Sequence, residues 1–264
     1  MSSFEDLPQD ALVTRDDHPG LYKRVEEATL ITVLSNKGDK LLRAVEDHDE
    51  QLFVTRSYTF DAVHSIEITD EVKGEIGFPS VWEAMRAAFS KAKVPTVPSV
   101  LLENVNNYPF VVVSDYIEGE VPVTEAPTEA KEEIAADLGR LVTADNGRGF
   151  VRLTLSPEII QEGMFVTAPD KDGRISATFT DMDPLMRVKF TLTDDDRRAI
   201  FMDRAADYLW RWSSEEERPQ IIAKFLMNLD SSIKNFDIKG GVAAAFIRAH
   251  RMSQGMDPDR ASIN

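Results

Sequence analysis

Apolar positions fall into two regimes along this chain: short β-branched runs in the first half, and stripes at helical spacing in the second. Residues 1–20 are polar and carry Pro8, Asp16, Asp17 and Pro19, which predicts an irregular lead-in. Leu30-Ile31-Thr32-Val33-Leu34 then reads as a strand, Ser35-Asn36-Lys37-Gly38-Asp39 as a tight turn, and Lys40–Val45 as the returning strand of a hairpin. Gln51–Tyr58 follows as a third strand, and Val63–Ile68 alternates as a short fourth. Pro79 and Ser80 open a helix with an apolar stripe at Val81, Met85, Ala88, Phe89 and Ala92, which Pro95 and Pro98 end. Val97–Glu103 and Phe110–Ile117 are two more strands, separated by the turn-prone stretch Asn104–Pro109.

Past that point the period changes. Glu118–Pro127 holds Gly119, Pro122 and Pro127 and reads as a linker. Thr128 is placed to cap a helix with Ile134, Leu138, Leu141 and Val142 on one face. A hairpin of Met164–Thr167 and Ile175–Thr180, turning at Pro169–Gly173, interrupts a helical remainder predicted near 194–213, 219–235 and 240–253. The pattern thus predicts an α+β chain in three parts. An irregular lead-in covers residues 1–20, a β-rich lobe with one helix covers 21–119, and a mainly helical lobe covers 120–264.

Composition narrows the chemistry. The 264 residues carry 46 acidic and 30 basic side chains, a formal net charge of −16. Such a surface repels phosphate backbones and anionic lipid heads, so nucleic-acid and membrane partners are disfavoured, while a cationic partner or plain solubility is suited. With no cysteine in the chain, disulfides, thiolate metal sites and cysteine nucleophiles are excluded. The acidic start MSSFEDLPQD lacks the apolar region of a signal peptide, and no apolar run reaches the roughly 18 residues of a membrane helix. A cytoplasmic location is the expectation.

Three passages carry a resemblance. WEAMRAAFSKAKVPTVPSVL is similar to a helix running into a proline-marked strand entry. YPFVVVSDYIEGEVPV resembles a strand and hinge joining two lobes. SPEIIQEGMFV with RISATFTDMDP resembles a catalytic loop followed by a metal-binding aspartate. Together they span about residues 30–185 in the order of the protein-kinase-like fold, and look most like its aminoglycoside and choline phosphotransferase branch. The resemblance implies a two-lobed kinase-like architecture.

It also implies a changed catalytic loop. The family runs His-Gly-Asp, four residues, Asn, and a strand; here Ser156-Pro157-Glu158 falls on the first three and Gly163 on the Asn. In a working phosphotransferase that aspartate handles the substrate hydroxyl proton and the asparagine helps hold magnesium. Glu158 keeps a carboxylate one methylene longer, which moves its oxygen by ~1 Å, and errors of that size can cost about 100-fold. Gly163 has no side-chain oxygen, and Ser156 has no ring. Asp181 matches the family's metal-binding aspartate, with Asp183 as a second ligand. The alternative for Asp183 is to cap a helix beginning at Pro184.

The phosphate-holding pair implied by the resemblance is a strand lysine with a helix glutamate. Arg56 and Glu83 stand nearest to it; Lys40 and Arg43 on the preceding strand compete, and a surface-strand role for Arg56 stays open. The hinge implies adenine recognition by backbone groups near Asp115, Tyr116 and Ile117. No Gly-x-Gly-x-x-Gly loop is present. His18, His48, His64 and His250 are scattered, Asp194–Asp196 suit a first helical turn, and Trp82, Trp210 and Trp212 suit packing.

The leading expectation is a kinase-like protein with impaired or absent phosphotransfer, acting as a binding or regulatory module that can retain nucleotide. Its partner is then a protein or a small molecule. The alternatives are a divergent small-molecule phosphotransferase using ATP and Mg²⁺ through Glu158, Asp181 and Asp183, and a non-enzymatic structural or assembly protein.

Overall fold

The computed structural model describes residues 12–36, 40–61, 78–142, 165–180, 194–229 and 236–256. In chain order these form β1 (Leu12–Val13), α1 (Pro19–Glu26), β2 (Thr29–Asn36), β3 (Lys40–Glu46), β4 (Leu52–Tyr58), α2 (Phe78–Ala92), β5 (Ser99–Val105) and β6 (Tyr108–Asp115). Then come α3 (Thr128–Val142), β7 (Phe165–Pro169), β8 (Ile175–Phe179), α4 (Asp194–Trp212), α5 (Arg218–Met227) and α6 (Phe236–Ser253). The order is the expected α+β one, a β-rich part with a helix between its strands, then a mainly helical part holding one hairpin. The chain divides into two compact units, 1–86 with 97–118 and 87–96 with 119–264.

One six-stranded sheet, in the order β1-β5-β6-β4-β3-β2, makes up the first unit. All neighbours are antiparallel except β1, which pairs parallel with β5. Residues directly opposite in an antiparallel pair share a face, so the register sorts side chains without ambiguity. One face carries Val45, Phe53, Val100, Leu102, Val111 and Val113, buried against Leu21, Tyr22 and Val25 of α1. Each such side chain contributes about 1.5–3 kcal/mol when fully withdrawn from water. Tyr22 pins the helix further: its hydroxyl donates to the Val13 carbonyl at 2.8 Å and accepts from the Glu103 amide at 3.1 Å.

The lead-in predicted over 1–20 therefore holds, from Leu12 onward, a short strand and the first two residues of α1. The pattern hides both. β1 is two residues long, and α1 buries only three of its eight. Its Pro19 is compatible with a first helical turn, where a missing N–H costs nothing.

The opposite face is covered by α2. The Phe78 ring lies 4.7 Å from Tyr58 and 4.8 Å from Phe110, and Trp82, Met85, Ala88 and Phe89 are buried along the helix. The helix ends in a Schellman motif. The Val94 amide donates to the Phe89 carbonyl and the Lys93 amide to that of Ser90, both at 3.0 Å, with Lys93 at φ 57°.

In the second unit α3 buries Ala130, Ile134, Ala135, Leu138 and Leu141. β7 and β8 pair antiparallel, and the Phe165 and Phe179 rings meet edge to face at 5.2 Å. α5 is shorter than the helix predicted over 219–235, with Asn228 as its C-cap. The strand predicted over Val63–Ile68 lies outside the described residues.

Candidate functional site

Register settles which basic residue shares a face with α2. Arg56 stands opposite Leu42 and Val112, two residues from Tyr58, and so lies half-buried on the α2 side of the sheet. Lys40, opposite Tyr58, lies on that side too. Arg43, opposite Thr55, lies on the α1 side and cannot compete for the same place. Glu83 is half-buried on α2 and makes no hydrogen bond or ion pair among the described residues, so it does not form a salt bridge with Arg56.

The buried cation on α2 is instead Arg86, only 5% exposed. Its Nη1 donates to the Val97 carbonyl at 3.1 Å, and its guanidinium lies 5.7 Å from the Trp82 ring, one helical turn earlier. Arg86 thus ties α2 to the entry of β5. The sequence signal for it was present: an arginine inside an apolar stripe, four residues after a tryptophan.

The hinge passage is built as follows. β6 ends at Asp115, which pairs with Phe53 and is half-buried, as is Ile117, while Tyr116 is exposed. The division between the units falls after Glu118. Gly119 follows at φ 72°, and a Cβ there would stand 3.3 Å from Pro169 Cδ, so both conformation and space select glycine. Beyond it the Val121 amide donates to the Thr167 carbonyl at 2.8 Å, and the Thr167 hydroxyl donates to the Val121 carbonyl. The linker is thereby fastened to β7 two residues after its glycine.

Glu158, Asp181 and Asp183, with Ser156 and Gly163, lie outside the described residues. What is described is the strand leading toward Asp181. β8 ends at Phe179, whose amide donates to the Pro95 carbonyl at 2.9 Å and whose ring packs 4.6 Å from Phe89. Of the residues expected to hold ATP and Mg²⁺, Arg56, Glu83, Asp115 and Ile117 are described, and Glu83 forms no ion pair among the described residues. They do not supply the joined cation–carboxylate pair that positions phosphates in kinases, and no phosphoryl step is derived through them.

Strongly shifted carboxyls often mark functional sites, but the ones here are packing anchors. Burial pushes the Asp137 carboxyl up to about 7, against the pull of Arg140. Burial also acts to raise Glu217, yet the Ser214 amide, Lys131, Thr128 and the Ser214 hydroxyl outweigh it and hold the group at about 2. Asp47, His48 and Asp49 bring one ligand atom each within 4.8 Å of one another. The Asp47 carboxylate there already accepts from Arg24 and from the Asp49 and Gln51 amides, an ordinary Asx turn. No helix among the described residues is long and apolar enough to cross a membrane.

No known protein family matches the chain, and no curated protein does either. Among solved structures it is similar to an apo pseudokinase, at 11% identity and TM-score 0.40, over 92% of this chain and 93% of that one. It is also similar to drought responsive inactive kinase 1, a pseudokinase bound to ENMD-2076, at 12% identity and TM-score 0.38, over 88% and 94%. A MAP kinase from Leishmania major follows at 9% identity and TM-score 0.35, over 79% and 65%. None of the three is an aminoglycoside or choline phosphotransferase, and likeness of this degree carries no argument about function.

Proposed function

We propose that the chain is a kinase-like protein without ordinary phosphotransfer, working as a binding or regulatory module. The observation that carries this reading is the path of the sheet. Setting β1 aside, five antiparallel strands follow the order β2-β3-β4-β6-β5, with α2 inserted between β4 and β5, and a glycine-bearing linker leaves β6. A helix after the third strand, and a hinge after the fifth, is the arrangement the kinase resemblance implies. The loss of phosphotransfer rests on chemistry legible in the sequence. By the resemblance Ser156, Glu158 and Gly163 fall where a working loop has histidine, aspartate and asparagine, and among the described residues Glu83 makes no ion pair to hold a phosphate-binding cation.

Nucleotide binding at the backbone of Asp115 and Ile117, with Arg56 toward the phosphates and Asp181 and Asp183 on Mg²⁺, belongs to the same proposal. Incubation of the full chain with radiolabelled ATP and Mg²⁺ tests it. The expected result is no transfer or hydrolysis above the protein-free blank. Turnover in the ordinary kinase range of about 1–100 s⁻¹, lost in Glu158→Ala, overturns it in favour of a divergent phosphotransferase.

A further inference from the structure

β2 is the outer strand of the six-stranded sheet, with β3 on one side and no strand on the other among the described residues. An open edge presents unpaired backbone N–H and C=O groups, and proteins protect it with charge, proline, a cover or bulges. Thr29–Asn36 holds neither a charged residue nor a proline, in a chain whose residues are 29% charged. It is not covered either: Leu30, Ile31, Val33 and Leu34 are 51%, 51%, 49% and 48% exposed. The register with β3 does shift twice, leaving Ile31 and Leu34 without a partner on that strand. Those extra residues are large and apolar, so the shifts add apolar surface to the edge rather than shield it.

The sequence of this edge is self-complementary. Read antiparallel about Thr32, it places Thr29 opposite Ser35, Leu30 opposite Leu34, Ile31 opposite Val33 and Thr32 opposite itself. Aliphatic side chains thus meet aliphatic ones and hydroxyls meet hydroxyls, the cross-strand pairs that stabilise sheets. A two-fold dimer requires such a patch that matches itself. Charge points the same way. Two copies of a chain with net charge −16 repel one another, and an uncharged strand is where they approach at least cost. A cationic partner, by contrast, finds no acid on β2 to pair with.

We propose that β2 is a dimerisation edge, at which a second copy of this chain pairs antiparallel about a two-fold axis at Thr32. The two sheets then run on as one. Leu30 lies opposite Val45 and Val33 opposite Arg43, so both extend the α1 face of the sheet, and pairing withdraws them from water. The stretch from Thr29 to Ser35 is about 23 Å long, short of what the ~1,200–2,000 Å² of a stable interface needs. The dimer is therefore a weak, reversible one that forms as concentration rises. It stands apart from the kinase-like reading and does not depend on it.

Sedimentation velocity on the full chain from about 1 to 500 µM tests the edge, with Thr32→Lys and Thr32→Glu run alone and mixed in equal amounts. Thr32 is exposed, so both variants keep the fold, and thermal unfolding checks this. The expected result is a reversible monomer–dimer equilibrium, weakened by about 10-fold or more in each variant, where like charges meet at the axis. Mixing the two variants sets lysine against glutamate and restores the dimer. A chain that stays monomeric throughout the range overturns the proposal. So does undiminished dimer in both variants, a mixture no tighter than either variant alone, or growth past the dimer, which marks a merely adhesive edge.

Discussion

Lys131 Nζ stands 3.0 Å from Glu217 Oε1, with only 5% and 17% of the two side chains exposed. The same carboxylate accepts from the Thr128 hydroxyl at 2.9 Å and the Ser214 amide at 2.8 Å, while Lys131 also donates to the Thr124 carbonyl at 3.2 Å. One carboxylate thus joins the first turn of α3, the linker before it and the entry to α5.

Removing that carboxylate strands a buried ammonium. Glu217→Ala is expected to cost about 3–5 kcal/mol, the range for breaking a buried pair from one side. Lys131→Met keeps an apolar stem, leaves Glu217 with its other donors, and is expected to cost less. Urea denaturation of the two variants measures the difference, and equal losses would show that packing, not charge, sets the cost. The pH sign follows. A carboxyl held at about 2 in the folded chain stabilises it fully above the ordinary glutamate value, and this contribution is lost as pH falls toward 2.

Asp137 acts in the opposite sense and in a different window. Its Oδ1 accepts from Arg140, but Oδ2 is buried and accepts nothing, and its carboxyl is raised to about 7. A raised carboxyl binds a proton more tightly in the folded state than in the unfolded one. Stability from this group is therefore complete below about pH 4 and declines as pH rises to about 7. Asp137→Asn replaces the proton with a permanent N–H. Its denaturation midpoint is expected to lose the decline between about pH 5 and 7. An unchanged slope would assign the titration to another group.

Gly139, inside α3, sets two effects against each other. Alanine is the better helix former by about 1 kcal/mol. A Cβ at this position, however, would lie 2.6 Å from the Phe225 carbonyl oxygen and 3.2 Å from Asn228 Cβ, where α3 and α5 touch. A backbone carbonyl cannot swing aside as a side-chain tip does, so overpacking at about 1–3 kcal/mol prevails. Gly139→Ala is expected to lower the melting temperature; a rise would mean that the two helices separate at little cost.

The readable parts of this chain were those with a long enough apolar run or stripe. β2 to β6 and α2 each span seven residues or more, and their boundaries match the pattern to within about two residues. β1 and α1 escaped because two strand residues and three buried helix residues make too short a period to register, although Tyr22 holds α1 by both roles of its hydroxyl. Alternation along β3 and β4 placed Arg43 and Arg56 on strands but not on faces. Only the pairing of Arg43 with Thr55 and of Arg56 with Leu42 put one on the α1 side and the other on the α2 side. The sequence sets Arg86 inside the apolar stripe of α2, but nothing local marks the Val97 carbonyl as its partner.

Lys93 offers a gain rather than a loss. It occupies the position just past α2 where the Schellman motif needs a left-handed residue, at φ 57°, and glycine usually stands there. Left-handed backbone costs an L-residue about 1–2 kcal/mol, while glycine adds back roughly 0.5–1 kcal/mol of unfolded-chain entropy. The Lys93 side chain is exposed and makes no hydrogen bond or ion pair among the described residues that would offset the strain. Lys93→Gly is therefore expected to stabilise the chain by up to about 1 kcal/mol, raising the melting temperature by about 1–3 °C for a protein of this size. Calorimetry on the variant decides it. A fall would show that α2 does not end in this motif in solution, and that the connection from Phe89 through Pro95 to β8 is held by other contacts.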